Sequence, residues 1–142
     1  MQAKKSLGQN FLKSSAIAGD IIRSANVTGE DIVLEIGPGR GMLTKELLKK
    51  AGRVVAVEKD DLLIPHLGEK FKKEIKEKRL ILVHGDIFHL QFKIHNLQNG
   101  KYKVVANIPY YITGKLFKFL LENKNIPSSI TVMVQKEVAE RI

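Results

Sequence analysis

Apolar positions along the chain alternate between two kinds of pattern. Short, mostly continuous apolar runs at 32–36, 54–57, 80–83, 104–106 and 130–134 read as five strands buried on both faces. Between them the spacing becomes helical. Leu63, Leu67, Phe71 and Ile75 recur every fourth residue, Met42, Leu43, Leu47 and Leu48 form a second stripe, and Ile112, Leu116, Phe119 and Leu120 share a third face. Ahead of the first strand, Ile17, Ile21, Ile22 and Ala25 predict another helix, with Ser14 or Ser15 placed to cap it. The polar stretch 90–102, with its Asn99-Gly100 turn, reads as loop. Strand and helix in alternation predict an α/β fold of three layers, with a parallel sheet in the order 3-2-1-4-5 and a ligand crevice at the carboxyl ends of strands one and four.

At 142 residues the chain is long enough for one domain with its own core, and no repeat or linker divides it. It has no cysteine, which excludes disulfides, thiolate nucleophiles and cysteine-bound zinc. No apolar run approaches the ~20 residues of a membrane span, and the opening Met1-Gln2-Ala3-Lys4-Lys5-Ser6 is no signal peptide, so a cytoplasmic protein without a membrane partner is expected. Lysine and arginine number 24 against 15 acidic residues, a net charge of +9 that favours a polyanionic partner. Much of that excess lies at 70–79, where Glu74 and Glu77 interrupt the lysines, and this run reads as the solvated coat of a helix.

The sharpest local signal is Glu35-Ile36-Gly37-Pro38-Gly39-Arg40-Gly41, directly after the first strand and before a helix. Glycines at such a turn let backbone approach a ligand, and the helix amino terminus favours negative charge. The dinucleotide fingerprint spaces its glycines GxGxxG, whereas Gly37, Gly39 and Gly41 are spaced GxGxG. That spacing argues against NAD and for S-adenosylmethionine, whose carboxylate needs less room than a pyrophosphate. Glu58 ends the second strand, 17 residues past Gly41, and is placed to accept hydrogen bonds from ribose hydroxyls. Asp86, at the end of the third strand, is placed to accept one from the amino group of the cofactor's adenine. No metal site is expected.

Asn107-Ile108-Pro109-Tyr110 follows the fourth strand and brings an amide, a stiff turn and an aromatic ring to the same edge. The exocyclic nitrogen of adenine is a weak nucleophile because its lone pair is delocalised into the ring. Acceptors for its two hydrogens, the Asn107 side-chain oxygen among them, would localise that lone pair and aim it at a methyl sulfonium without a general base. Tyr110 would stack on a base swung out of its helix, and Pro109 would hold the turn.

With these residues in place the chain resembles the small-subunit ribosomal RNA adenine dimethyltransferases of the KsgA type. The resemblance rests on Lys5-Ser6-Leu7-Gly8-Gln9-Asn10-Phe11-Leu12, the 35–41 loop, Val57-Glu58, Gly85-Asp86, Asn107-Ile108-Pro109-Tyr110-Tyr111-Ile112 and Val134-Gln135-Lys136-Glu137-Val138-Ala139, in the family's order. It implies a Rossmann-like class I methyltransferase sandwich in which Gln9, Asn10 and Leu12 meet the cofactor. Glu35, Gly37, Gly39 and Gly41 would hold its amino-acid end, Glu58 its ribose and Asp86 its adenine, with Asn107 at the methyl-transfer site. It further implies dimethylation at N6 of two adjacent adenines near the 3′ end of small-subunit rRNA, in an immature subunit. Lys4, Lys5 and Lys13 would face phosphate.

Against that family, residues 1–13 are expected to form an opening segment and 14–142 the catalytic core. The family's two final strands and its helical domain are expected to be missing. The fifth strand would then be an exposed edge open to self-association, and rRNA methylation would be impaired. Two rivals remain: a large-subunit adenine methyltransferase of the macrolide-resistance type, which shares the glycine loop, and a non-catalytic ribosome-assembly module.

Overall fold

A computed structural model of the chain describes residues 14–90 and 97–133. The chain runs α1 (Ser15–Ser24), β1 (Ile32–Ile36), α2 (Met42–Lys50), β2 (Arg53–Glu58), α3 (Leu63–Lys70), α4 (Lys72–Lys76), β3 (Leu80–His84), β4 (Lys103–Ala106), a 3-10 turn (Tyr110–Ile112), α5 (Thr113–Glu122) and β5 (Ser129–Val132). All five strands pair in parallel, in the order β3-β2-β1-β4-β5. This is the predicted order, and each strand lies within a residue or two of its predicted bounds. Val134, expected at the end of β5, lies outside the described residues, as do the 135–139 block and the opening segment 1–13. Among the described residues no helix is long and apolar enough to cross a membrane.

Strand alternation sorts the apolar side chains into two cores. Val33, Val54, Ala56 and Val105 pack with Ile21 and Ile22 of α1, Leu43 and Leu47 of α2, and Leu63 and Leu67 of α3. Leu34, Ile36, Val55, Val57, Val104 and Ala106 face the other way, onto Leu116 and Leu120 of α5. Both faces are thus covered, which is why the strands read as continuous apolar runs. Leu97 and Tyr102, within the stretch predicted as loop, also enter the second core, and the Tyr102 hydroxyl donates to the Asn125 carbonyl at 2.6 Å.

Ser14 is the residue that caps α1: its backbone is extended and its Oγ accepts the Ile17 amide at 3.3 Å. The helix predicted from Leu63 through Ile75 is broken. Phe71 leaves helical geometry at φ −113°, ψ 28°, and α4 restarts after it. The break has a tertiary cause, since the buried Phe71 ring packs beneath the glycine turn of β1. Pro65 is tolerated in α3 because it lies in the first turn, where the missing amide has no intrahelical acceptor to satisfy.

The registers align Ile36 with Val57 and Ala106, and Glu58 with His84. The residues that follow the strands therefore emerge along one edge of the sheet. Between β1 and β4 the chain order reverses, and this is where an open α/β sheet leaves a crevice.

Candidate functional site

The crevice opens at that reversal, with a cavity volume of about 210 Å³. One wall comes from the turn after β1. Gly37, Gly39 and Gly41 all take positive φ, at 73°, 59° and 90°, so the sequence requirement for glycine is conformational. At Gly41 it is steric as well, because a Cβ there would lie 2.6 Å from the Phe71 ring. The opposite wall is the segment after β4, where Asn107, Ile108 and Pro109 line the crevice. The two walls lie close: a Cβ added to Gly37 would stand in ordinary contact, 3.5 Å, with both the Asn107 carbonyl oxygen and Ile108 Cγ2.

Glu58 and Asp86 also line the crevice, but in different electrostatic states. Glu58 is buried; its Oε1 accepts the Gly39 amide at 3.0 Å and its Oε2 the Asp60 amide at 2.8 Å. Burial pushes its carboxyl above the usual range, and the two amide hydrogen bonds oppose that shift. Each oxygen keeps a lone pair for a further donor. Asp86 accepts the Phe88 amide at 3.0 Å and pairs with Lys59 at 3.4 Å. Burial raises its carboxyl, but the Phe88 amide and the Lys59 ammonium outweigh it, so its pKa lies below the ordinary value and it stays ionised.

Two predicted site residues are placed otherwise than expected. Glu35 is fully buried behind the glycine turn and is not part of the crevice wall. Alternation along β1 sets it with Val33 on the face covered by α2, where Thr44 Oγ1 donates to its Oε1 at 2.5 Å. Its Oε2 is buried without a hydrogen-bond partner among the described residues. Tyr110 is 55% exposed and stands beside the crevice rather than in its wall, its ring edge-to-face with Tyr111 at 5.7 Å. Tyr111 does line the wall. Gln9, Asn10 and Leu12 lie outside the described residues.

Among the polar and aromatic lining residues, sequence reasoning assigned no role to Arg40, Lys59, Phe88 and Lys115. Arg40 was visible inside the glycine loop and Lys59 directly follows Glu58, so position alone could have flagged both. Phe88 and Lys115 come from different elements and meet only in the fold.

A nucleoside with an amino-acid arm matches this arrangement, because a backbone-lined turn and two carboxylates converge on one half while an amide and a proline-fixed turn face them across the other.

A family model described as "Ribosomal RNA adenine dimethylase" matches residues 1–142. The chain is 48% identical over its full length to a ribosomal RNA small subunit methyltransferase A of Dehalococcoides mccartyi, of which it covers 48%. It is 45% identical over 138 residues to a protein of the same name from Clostridium botulinum, matching 97% of this chain and 49% of that one. It thus spans about half the length of the curated relatives it matches. Among solved structures it is similar to the 23S rRNA methyltransferase ErmE, with TM-score 0.77 and 28% identity over 92% of this chain and 50% of that one. A dimethyladenosine transferase from Plasmodium falciparum aligns with TM-score 0.75 and 33% identity, over 93% of this chain and 46% of that one.

Proposed function

The chain belongs to the ribosomal RNA adenine dimethylase family, and from that membership we propose that it is the catalytic domain of an S-adenosylmethionine-dependent adenine N6-dimethyltransferase. Its substrate would be two adjacent adenines near the 3′ end of small-subunit rRNA, presented in an immature subunit. The observation that carries this reading is that the Gly37 turn and Asn107 line one crevice, which sets a cofactor-type loop and an amide suited to an amino-group acceptor in the same site.

In this reading Gly37, Gly39 and Gly41 hold the amino-acid end of the cofactor, Glu58 the ribose and Asp86 the adenine amino group, with Gln9, Asn10 and Leu12 contributing from the opening segment. Glu35 acts through Thr44 and the turn. S-adenosylmethionine supplies an electrophilic methyl group on a sulfonium. Asn107 accepts a hydrogen bond from the target amino group and orients its lone pair, Pro109 fixes the turn, and Tyr110 with Tyr111 offers aromatic surface to the flipped base. Transfer would break the sulfonium S–CH3 bond, leave S-adenosylhomocysteine and release a proton to solvent once the new N–C bond had formed, so no buried base is required.

The large-subunit alternative is favoured by the likeness to ErmE at 28% identity. The 44–48% identity to the small-subunit methyltransferases of Dehalococcoides favours the small-subunit substrate. Methyl transfer from labelled cofactor to separated immature small and large subunits decides between them: label in N6-dimethyladenosine of the small-subunit RNA is expected, and label confined to the large subunit would reverse the assignment. The same reading includes self-association, because β5 is an outer strand of the described sheet and such an edge, with no neighbour among the described residues, can pair with a second copy. Light scattering over a concentration series tests it, and a strict monomer removes it.

Glu58→Gln should weaken S-adenosylmethionine binding by about 1.5 to 3 kcal/mol, the range for hydrogen bonds to a charged group. Glutamine retains one oxygen for the Gly39 or Asp60 amide, so it disturbs the loop less than alanine would. An unchanged dissociation constant in calorimetric titration would take Glu58 out of the ribose role.

A further inference from the structure

Lys115 lies in the first turn of α5 and lines the acceptor half of the crevice with Pro109 and Tyr111. Its ammonium sits 4.3 Å from the centroid of the Phe88 ring. That ring is itself fixed from two sides. Phe119, one helical turn beyond Lys115, meets it edge-on at 5.4 Å, and the Phe88 amide is bonded to Asp86. Lys115 and Phe119 thus meet the same ring, and the Lys115 ammonium lies against it in the crevice wall.

Its charge has no acidic partner among the described residues. Lys59, also in the crevice wall, is paired with Asp86. Among the described residues no carboxylate pairs with Lys115, and the first turn of α5 contains no acidic residue. A lysine is also disfavoured there by the helix dipole, so packing of α5 does not explain it. The lysines of 70–79 belong to the side of the sheet opposite α5, and Lys70, which donates to the Arg40 carbonyl at 2.9 Å, meets the crevice at its glycine turn rather than at its acceptor half.

We infer that Lys115, held on the Phe88 ring, contacts a backbone phosphate of the nucleotide flanking the target adenosine and so positions the RNA strand at the crevice. This rests on the functional reading above. An ammonium is a compact point charge that suits a phosphate and reads no base, so the contact sets strand position and affinity.

The test uses the full chain and a short single-stranded RNA with two adjacent adenosines. Lys115→Gln is expected to weaken RNA binding about fivefold, the upper size of an exposed ion pair. It should reduce the slope of log affinity against log salt by about 0.7, the value for one phosphate on a single strand. In methyl transfer the loss should appear in KM for RNA more than in kcat, with the S-adenosylmethionine dissociation constant at its wild-type value. Lys115→Arg should restore the slope, and replacing the flanking phosphate by a neutral methylphosphonate should weaken wild type but not the Gln variant. An unchanged salt slope with intact methylation by wild type overturns this inference alone. Failure of the wild-type chain to form N6-methyladenosine in immature small subunits overturns the functional reading and this inference with it.

Discussion

Replacing Asn107 with alanine is expected to lower the methyl-transfer rate by about 10²- to 10³-fold, the loss typical of removing one preorganised polar group from a reacting centre. The dissociation constant for S-adenosylmethionine should change far less. The split follows from the geometry: Asn107 leaves β4 at the crevice wall opposite the glycine turn, and the cofactor half retains Glu58, Asp86 and the loop backbone when its side chain is cut back. An amide that accepts from the target amino group strengthens its interaction as the nitrogen gains positive charge, so it contributes to the transition state more than to the ground state. Single-turnover kinetics with saturating RNA, alongside calorimetric titration of the cofactor, measure the two effects separately. Equal losses in rate and cofactor affinity would make Asn107 chiefly a cofactor ligand.

The strands were legible because a parallel sheet covered on both faces leaves little but apolar residues in them, and β1 appears at its predicted residues. The crevice was legible for a related reason, since Gly37, Glu58, Asp86 and Asn107 each follow or end a strand and the parallel register gathers those ends. What stayed hidden depends on contacts between distant segments. The every-fourth-residue stripe runs unbroken through Phe71, and only the ring's place under Gly41 interrupts the helix. Leu97 and Tyr102 sit in a polar stretch, so periodicity gave no sign that they enter the core. Glu35 is the instructive case. Its nearness to the glycine loop suggested a ligand contact, yet strand alternation alone sets it on the face opposite Leu34 and Ile36, toward α2. Reading the alternation before the motif would have placed it behind the turn.

Stability should fall as pH rises from about 4.5 to about 8, and Glu35→Gln should abolish most of that fall. Burial, partly offset by the Thr44 hydrogen bond and reinforced by the nearby Glu58 charge, pushes the Glu35 carboxyl from 4.5 up to about 8. A group whose folded pKa is raised above its unfolded value binds a proton in the folded chain that the unfolded chain has released. Below 4.5 both states are protonated and Glu35 exerts no penalty. Between the two pKa values the folded chain must keep its proton while the unfolded chain ionises, so each step up in pH favours unfolding; above about 8 both are ionised and the penalty levels off. The full swing is on the order of 5 kcal/mol, a large fraction of the stability of a domain this size. Glutamine mimics the protonated acid: its oxygen still accepts from Thr44, and it cannot ionise. The variant should therefore match wild type near the low end of the window and exceed it increasingly toward pH 9. Urea denaturation of both proteins across that range measures the difference. A constant gap between the two curves would mean that Glu35 is ionised in the folded chain across the window, as it is in the unfolded chain. In that case Thr44 and the orphaned Oε2 would have to be accounted for by an ionised carboxylate with an additional donor.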